Sequence, residues 1–512
     1  MAESTRQFSI VEYYGEQRKN RCGYCKQSDS CYSHGMQAHC LTNQDYQDLI
    51  DRGWRRSGTY CYKPKNDETC CPCYTIKCDI SSFSLSKSQK KIIKKFNKFL
   101  IDGHRDKSDE TVTSPNQTEQ HAPMDYNSSF VEPNRSEIEF DVDKAKDIVL
   151  QTMKEKGAQG CNSEMVQKNA VVVPSCSENY ISGSKSNENG NATTKDTSRK
   201  SSVSGPDASK PLKKKAKLMR MERKAQKLAS TNQLPDHVPK KEAKNVQKTL
   251  AMLLNEVPEN CRHKLEVKLL AVAGNQRKLS AEELSLYKRY QTVIHNDDEP
   301  SASEFEDFLI SSPLEPEQSS ICTTVVFGSY HQQYWLDGKL IAVGVIDILP
   351  SCVSSVYFFY DPDYSFLSLG TYGSLREIHL TQQLQQQVSA INSYYMGFYI
   401  HSCPKMRYKG KLTGSYLLCP EAYTWHLLND DVIERLNAHK YQRLNDDRSV
   451  QDVNRFSAAN LGGIMVLCKA RVLMTFSQFA EKYPRSADSE EFSEYGRLVG
   501  RSIAARIVML IF

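Results

Sequence analysis

No run of about 18 apolar residues occurs anywhere in the 512 residues, so no membrane-spanning helix is expected. The N-terminus, Met1-Ala-Glu-Ser-Thr-Arg-Gln-Phe, has neither an apolar core nor a small-residue cleavage site, and no secretory signal is read there. Apolar residues are scarce at 39%, low for a compact globule, so part of the chain is expected to be disordered. Charge of one sign is also scarce. The net +6, with an isoelectric point near 8.4, permits a nucleic-acid partner without requiring one. Catalytic signatures are equally thin: there is no G-x-S-x-G elbow, no Walker loop, no H-E-x-x-H, no dinucleotide fingerprint and no internal repeat.

Cysteine is the residue in excess. Nine of the 17 fall within the first 78 residues and the rest are scattered singly. Without a secretory signal the compartment is reducing, where clustered thiols are more often metal or cluster ligands than disulfides. Cys22-Gly-Tyr-Cys25 can point two thiolates at one ion, and Cys70-Cys71 can complete a set of four. Cys73, Cys78, His34 and His39 are spare candidates. Thiolates suit both zinc and iron–sulfur, so spacing leaves the metal open.

The chain divides into zones. Residues 1–102 form a Cys-rich N-terminal domain. Residues 103–246 are rich in Ser, Asn and charge and are expected to be a disordered linker. Within it a basic run, 210–227, reads either as a solvated, partly helical segment, as a nuclear-import signal or as a phosphate contact to RNA. From 247 to 512 the pattern is globular. A strand is expected over 263–272 and a helix over 281–295, with Ser280 and Glu283 forming a capping box. Asp337-Gly338 between two apolar runs predicts a type I′ hairpin. A third strand over 353–360, a helix over 369–384 and a strand at Tyr394 follow, and an α/β (α+β) acyltransferase fold fits that order. The apolar end, 503–512, reads as a packed terminal helix.

Two stretches mix basic and aromatic residues. In Asp51-Arg-Gly-Trp-Arg55-Arg56-Ser, the arginines suit a bidentate grip on a carboxylate or, equally, a charged turn beside a core tryptophan. In Tyr399-Ile-His-Ser-Cys-Pro-Lys405-Met-Arg407-Tyr-Lys409-Gly, the cations suit RNA phosphates.

Cys22-Gly-Tyr-Cys25, Leu49-Ile-Asp-Arg-Gly-Trp-Arg-Arg-Ser-Gly and Cys70-Cys71-Pro together resemble the N-terminal domain of eukaryotic arginyl-tRNA–protein transferases. The long string from Ser329 to Leu349, Tyr360-Asp-Pro-Asp-Tyr, and Tyr399 to Gly410 are similar to the C-terminal domain of that family. The resemblance spans roughly 20–100 and 250–430 and leaves the linker and the end beyond about 450 aside. It implies a GNAT-like acyltransferase domain joined to the Cys-rich domain. The donor would be arginyl-tRNA, and the acceptors proteins beginning with Asp, Glu or oxidised Cys, in the cytoplasm and nucleus. It also implies that Cys22, Cys25, Cys70 and Cys71 hold zinc or an iron–sulfur cluster. For such a reaction Asp361 and Asp363 are the first candidates to hold the donor arginine, with turn chemistry around Pro362 as the alternative. Tyr334, Tyr360 or His331 are candidates for proton or oxyanion handling, and Arg55, Arg56 or Arg376 for the acidic acceptor. The rival reading is a non-enzymatic zinc-containing RNA-binding adaptor. An acetyl-CoA enzyme is disfavoured because Asp363-Tyr-Ser-Phe-Leu-Ser-Leu-Gly lacks the pyrophosphate-loop pattern.

Overall fold

A computed structural model describes residues 8–105, 141–158, 248–272, 280–469 and 471–512. The basic run 210–227 and most of the expected linker lie outside the described residues. Two sheets organise the molecule, and each draws strands from both sides of that linker.

The first sheet is built on β1 (Ile10–Asn20) and β2 (Cys31–Cys40), an antiparallel pair followed outward by β4 (Tyr60–Pro64) and the edge strand β3 (Arg55–Ser57). On the other side of β1 lie strands from the end of the chain. They are β16 (Val508–Ile511), parallel to β1, then β14 (Met465–Cys468) and β15 (Val472–Thr475). The apolar terminus expected to be a helix is therefore a strand. Only a single turn, Arg501–Ala504, precedes it, and Val508, Met509 and Leu510 are buried between two neighbours.

The second sheet runs β13 (Trp425–Leu427), β12 (Ser415–Leu418), β5 (Tyr74–Asp79), β11 (Ser393–Tyr399), β10 (Cys352–Tyr360), β9 (Lys339–Leu349), β8 (Val326–Leu336), β6 (Leu265–Ala271), with the short β7 (Glu317–Gln318) beside β8. The β8–β9 turn is the expected hairpin: Asp337 and Gly338 both have positive φ, 50° and 81°, as a type I′ turn requires. β9 is buried along nearly its whole length, as its apolar run, interrupted only by Gly344 and Asp347, demands. β6 sits at the edge, which leaves Val267, Leu269 and Leu270 partly exposed.

Helices cover these sheets. α1 (Asn43–Ile50) follows β2, and α2 (Lys87–Asp102) carries a full capping box at Ser86 and Gln89. α3 (Val142–Ala158) falls inside the stretch expected to be disordered, yet Ala145 and Val149 are buried against Ile10, Cys40 and Leu473, and Lys146 pairs with Glu315. α4 (Ala281–Tyr290) starts at Ser280 as expected, whose hydroxyl accepts from the Glu283 amide. The Glu283 carboxylate does not return to close the box; it turns inward to His331 and Gln333. α5 (Leu369–Gln387) crosses from β10 to the parallel β11 and lies so close to the sheet that a Cβ on Gly373 would sit 2.3 Å from the Phe358 ring. α6 (Ser489–Val499) buries Phe492, Tyr495 and Val499 toward β1. Among the described residues no helix is long and apolar enough to cross a membrane.

One departure from a regular sheet sets up the site. β10 and β11 pair only through Cys352–Ser354 and Ser393–Tyr395, and then part. β10 stays with β9 as far as Tyr360, while β11 stays with β5 as far as Tyr399. The sheet forks beyond this point, and β11 bulges there around Gly397, whose φ is +67°.

Candidate functional site

The β1–β2 turn brings Cys22 and Cys25 against Cys70 and Cys71 of the β4–β5 loop, and one ligand atom from each lies within 4.8 Å of all the others. The turn is wound tightly. The Lys26 amide donates to the Cys22 carbonyl, and Lys26 and Asp29 both take left-handed φ. The Cys70 amide donates to the Ser30 carbonyl at 2.9 Å, which registers the second pair on the first. Hydrogen bonds from Cys71 and the local backbone pull the Cys22 thiol down to about 4, while burial pushes Cys70 up to about 12. Four thiols gathered at this spacing form a donor set that suits a thiophilic cation. The spare candidates stand apart. Cys73 is buried with its thiol on the Cys71 carbonyl, Cys78 lies on Thr413, His34 meets Tyr13, and His39 faces Glu12.

At the open end of β10 four charges meet. Asp361 is buried and accepts from Arg289 at 2.6 Å and from Lys339 at 2.7 Å, while also capping the turn Pro362–Leu367 through the Asp363 amide. Asp363 is the exposed partner and also binds Arg289, which holds its carboxyl below the usual range. The turn role is therefore present, and the cations that this pair holds are the chain's own Arg289 and Lys339. Tyr360, the last residue of β10, has its phenol pushed up to about 12 by burial. Tyr334 is wholly buried, its hydroxyl on Gln332, two strands away and opposite the same Ala342 of β9 as Tyr360. His331 is also wholly buried, with Nδ1 on Glu283 and Nε2 on the Leu309 carbonyl, and it anchors α4 to β8. Arg376 stays within α5 and donates to Tyr372.

The arginines of β3 point into the core. Arg56 forms a bidentate pair with Asp347 of β9 at 2.9 and 2.6 Å, with side-chain exposures of 3% and 0%. Arg55 donates to the carbonyls of Ile50, Trp54 and Gly397 and lies over the Phe398 ring. Lys409 donates to the Phe398 carbonyl, and burial lowers its ammonium to about 7. Arg55 and Lys409 therefore cap consecutive carbonyls at the β11 bulge, where ladder partners are irregular. Lys405 and Arg407 remain exposed, and Arg407 is steadied by the His401 carbonyl. The structure thus groups Tyr360, Asp361 and Asp363 at one tip of the fork and Lys405 and Arg407 after the other. It keeps His331, Tyr334, Arg55, Arg56 and Lys409 inside, and leaves Arg376 half-buried on α5.

Sequence reasoning passed over Arg289, Lys339 and Glu377. Glu377 of α5 is buried where β10 and β11 still pair, accepts from the Tyr394 hydroxyl at 2.5 Å, and is pushed up to about 7 by burial. A carboxylate on the apolar stripe of α5, one residue before Ile378, was the available signal.

Two family profiles match the chain: arginine-tRNA-protein transferase, N terminus, over residues 20–91, and arginine-tRNA-protein transferase, C terminus, over residues 282–419. The chain is 44% identical to arginyl-tRNA–protein transferase 1 of Drosophila melanogaster over 98% of its own length and 99% of the relative's. It is 33% identical to arginyl-tRNA–protein transferase 1 of Arabidopsis thaliana, over 81% of this chain and 72% of that one. A shorter match, 33% identical over 31% of the chain and 61% of the relative, joins it to an aspartate/glutamate leucyltransferase of Pseudomonas entomophila.

Proposed function

The chain belongs to the arginine-tRNA-protein transferase family, and on that premise we propose that it moves arginine from arginyl-tRNA to the N-terminal amine of proteins that begin with an acidic residue. The observation that carries this reading is the 44% identity along 98% of the chain, which includes the cysteine cluster and the forked sheet. An acidic acceptor is supported by the name of the bacterial relatives, aspartate/glutamate leucyltransferase. Asp, Glu and oxidised Cys are the proposed acceptor residues, and the new terminal arginine marks the product for ubiquitin-dependent degradation. The basic run 210–227 supports a distribution shared between cytoplasm and nucleus.

The chemistry needs few catalytic groups. The aminoacyl ester is already activated, and an α-amine of pKa about 7.7–8.0 is partly neutral near pH 7. Its nitrogen bonds to the ester carbonyl carbon, the tetrahedral oxyanion collapses, the bond to the tRNA ribose oxygen breaks, and the amine proton ends on that oxygen. The protein aligns the two reactants, steadies the oxyanion and passes the proton. We assign the forked end of the sheet to the aminoacyl terminus. Asp363 and Asp361 exchange Arg289 for the donor guanidinium, Tyr360 hydrogen-bonds the oxyanion, and Lys405 and Arg407 meet tRNA phosphates.

For the cysteines we propose zinc or an iron–sulfur cluster held by Cys22, Cys25, Cys70 and Cys71. Bound there, it supplies a cross-link between the β1–β2 turn and the β4–β5 loop; iron and sulfide assays with a visible spectrum separate the two.

The test of the reaction is transfer of labelled arginine from arginyl-tRNA to two matched peptides, prepared without oxygen. Labelling of the peptide beginning with Asp and not of one beginning with Ala is expected. Labelling of neither, by folded protein, overturns the assignment.

A further inference from the structure

With Arg55 and Arg56 committed to the core, the acidic acceptor needs another cation. A cleft of about 230 Å³ opens between the β4–β5 loop, the β12–β13 turn and the end of α6. Its lining is cationic: Arg52, Lys63 and Lys65 face a single carboxylate, Asp67. Arg52 is neutralised by Asp452, and Lys65 by Glu16 and Glu68. Lys63 differs. Among the described residues its ammonium forms no ion pair; it donates to the Tyr423 hydroxyl at 2.8 Å and the Leu498 carbonyl at 3.2 Å, which leaves one of its three N–H donors unassigned. A largely buried cation with no direct ion pair is costly, and burial pushes this one below its usual range, against the pull of Asp452, which is itself paired with Arg52.

Two further observations point into the same cleft. Thr75 is buried in the wall of the cleft, and its hydroxyl has no hydrogen-bond partner among the described residues. Tyr423 holds a left-handed φ of +52°, a strained backbone for an aromatic residue. That conformation places its ring 4.0 Å from the Arg52 guanidinium and 4.8 Å from the Lys63 ammonium. The arrangement presents one cation with an unused donor, between tyrosine walls and beside the unpartnered Thr75 hydroxyl, which suits one small carboxylate better than the row of phosphates along a nucleic acid.

We propose that this cleft receives the side-chain carboxylate of the acceptor's N-terminal residue, with the Lys63 ammonium as its cation and the Thr75 hydroxyl as a second donor. The proposal rests on the transferase reading for the identity of its ligand. The cleft also adjoins the cysteine centre through the loop 64–73, where the Asn66 side chain brackets Cys73 with two hydrogen bonds, so the loop that holds two metal ligands also forms one wall of the acceptor site.

Binding can be measured apart from catalysis. A fluorescent peptide beginning with Asp, titrated by anisotropy onto the full chain in the absence of tRNA, is expected to bind, and its Asn counterpart to bind weakly. Lys63→Met should weaken the Asp peptide roughly 10- to 100-fold, the loss expected of one charge-assisted hydrogen bond. It should leave tRNA affinity and the thermal midpoint close to wild type. N-acetyl-aspartate should compete with the Asp peptide on the wild-type protein. Should Lys63→Met not fold, Thr75→Val in the same titration serves, with a smaller expected loss. Unchanged Asp-peptide affinity in the folded variant, equal binding of Asp and Asn peptides, or a loss of tRNA binding instead overturns the proposal. Absence of arginine transfer alongside Lys63-dependent peptide binding would overturn the transferase reading and leave the carboxylate site standing.

Discussion

Arg56→Met is expected to destabilise the protein by about 3–5 kcal/mol, because it strands a carboxylate where water cannot reach. Asp347 lies on β9 in the middle of the second sheet, Arg56 on β3 at the edge of the first, and the pair is the polar contact between them at this point. Both Asp347 oxygens are occupied, Oδ2 by Arg56 and Oδ1 by Arg56 and Ser329, the latter at 2.7 Å. Removal of the guanidinium leaves only the serine. Asp347→Leu should cost a similar amount, since the cation then faces Ser329 and the Gly58 carbonyl alone. The double variant Arg56→Met, Asp347→Leu should be far less damaged than the sum, with a coupling energy of about 2–3 kcal/mol, because paired apolar groups replace paired charges. Urea unfolding followed by tryptophan fluorescence reads this directly, since buried Trp54 lies two residues from Arg56. A loss under about 1 kcal/mol in Arg56→Met, with no coupling to Asp347, would refute the reasoning and return Arg56 to the substrate-facing role that the sequence leaves open.

Cys22→Ser should lower bound metal and raise proteolysis in the β1–β2 turn and the loop at Cys70, measured by elemental analysis and timed digestion; full metal content in the variant counts against this ligand set. Glu377→Gln should flatten the pH dependence of stability. The folded carboxyl is raised to about 7 while the unfolded one titrates near 4.5, so the native state retains a proton that the unfolded state loses. Stability from this group is therefore lost as pH rises from about 4.5 to about 7, on the order of 2–4 kcal/mol. The glutamine variant should lack that fall in urea midpoints between pH 5 and pH 8, and an unchanged slope sinks the assignment. Lys405→Ala should weaken tRNA binding uniformly across tRNA sequences and reduce the magnitude of the log–log salt slope by about 1. No change in slope would place Lys405 off the nucleic-acid path.

Much of the local structure was legible because its causes are local. Asp337-Gly338 supplies two consecutive residues that tolerate positive φ, so the hairpin follows wherever the flanking runs are apolar. Ser280 needs only its own hydroxyl and the next turn's amide to start α4. Cys22-Gly-Tyr-Cys25 is a short-range spacing that aims two thiols at one point, and a second pair nearby in space suits a metal. Glu283 shows where this reasoning stops. Its spacing from Ser280 predicts a capping box, but a buried His331 with two ring nitrogens to satisfy draws the carboxylate inward.

The sequence by itself determined the family, the cysteine ligands as a candidate set, the strand and helix order from 326 to 400, and the mixed α/β class. Tertiary structure alone decided which strands are neighbours. β5, from the Cys-rich segment, is inserted between β11 and β12, and β16, from the last residues, lies between β1 and β14. Alternation and apolarity state that a strand will be buried, not against which partner, because ladder hydrogen bonds carry no residue identity and the partners are hundreds of residues apart. The same reason governs the charges. Arg55, Arg56 and Lys409 look like surface cations in the sequence. They become interior groups only when the sheets close, because the carbonyls at the β11 bulge then need donors and the carboxylate of Asp347 needs a counter-charge.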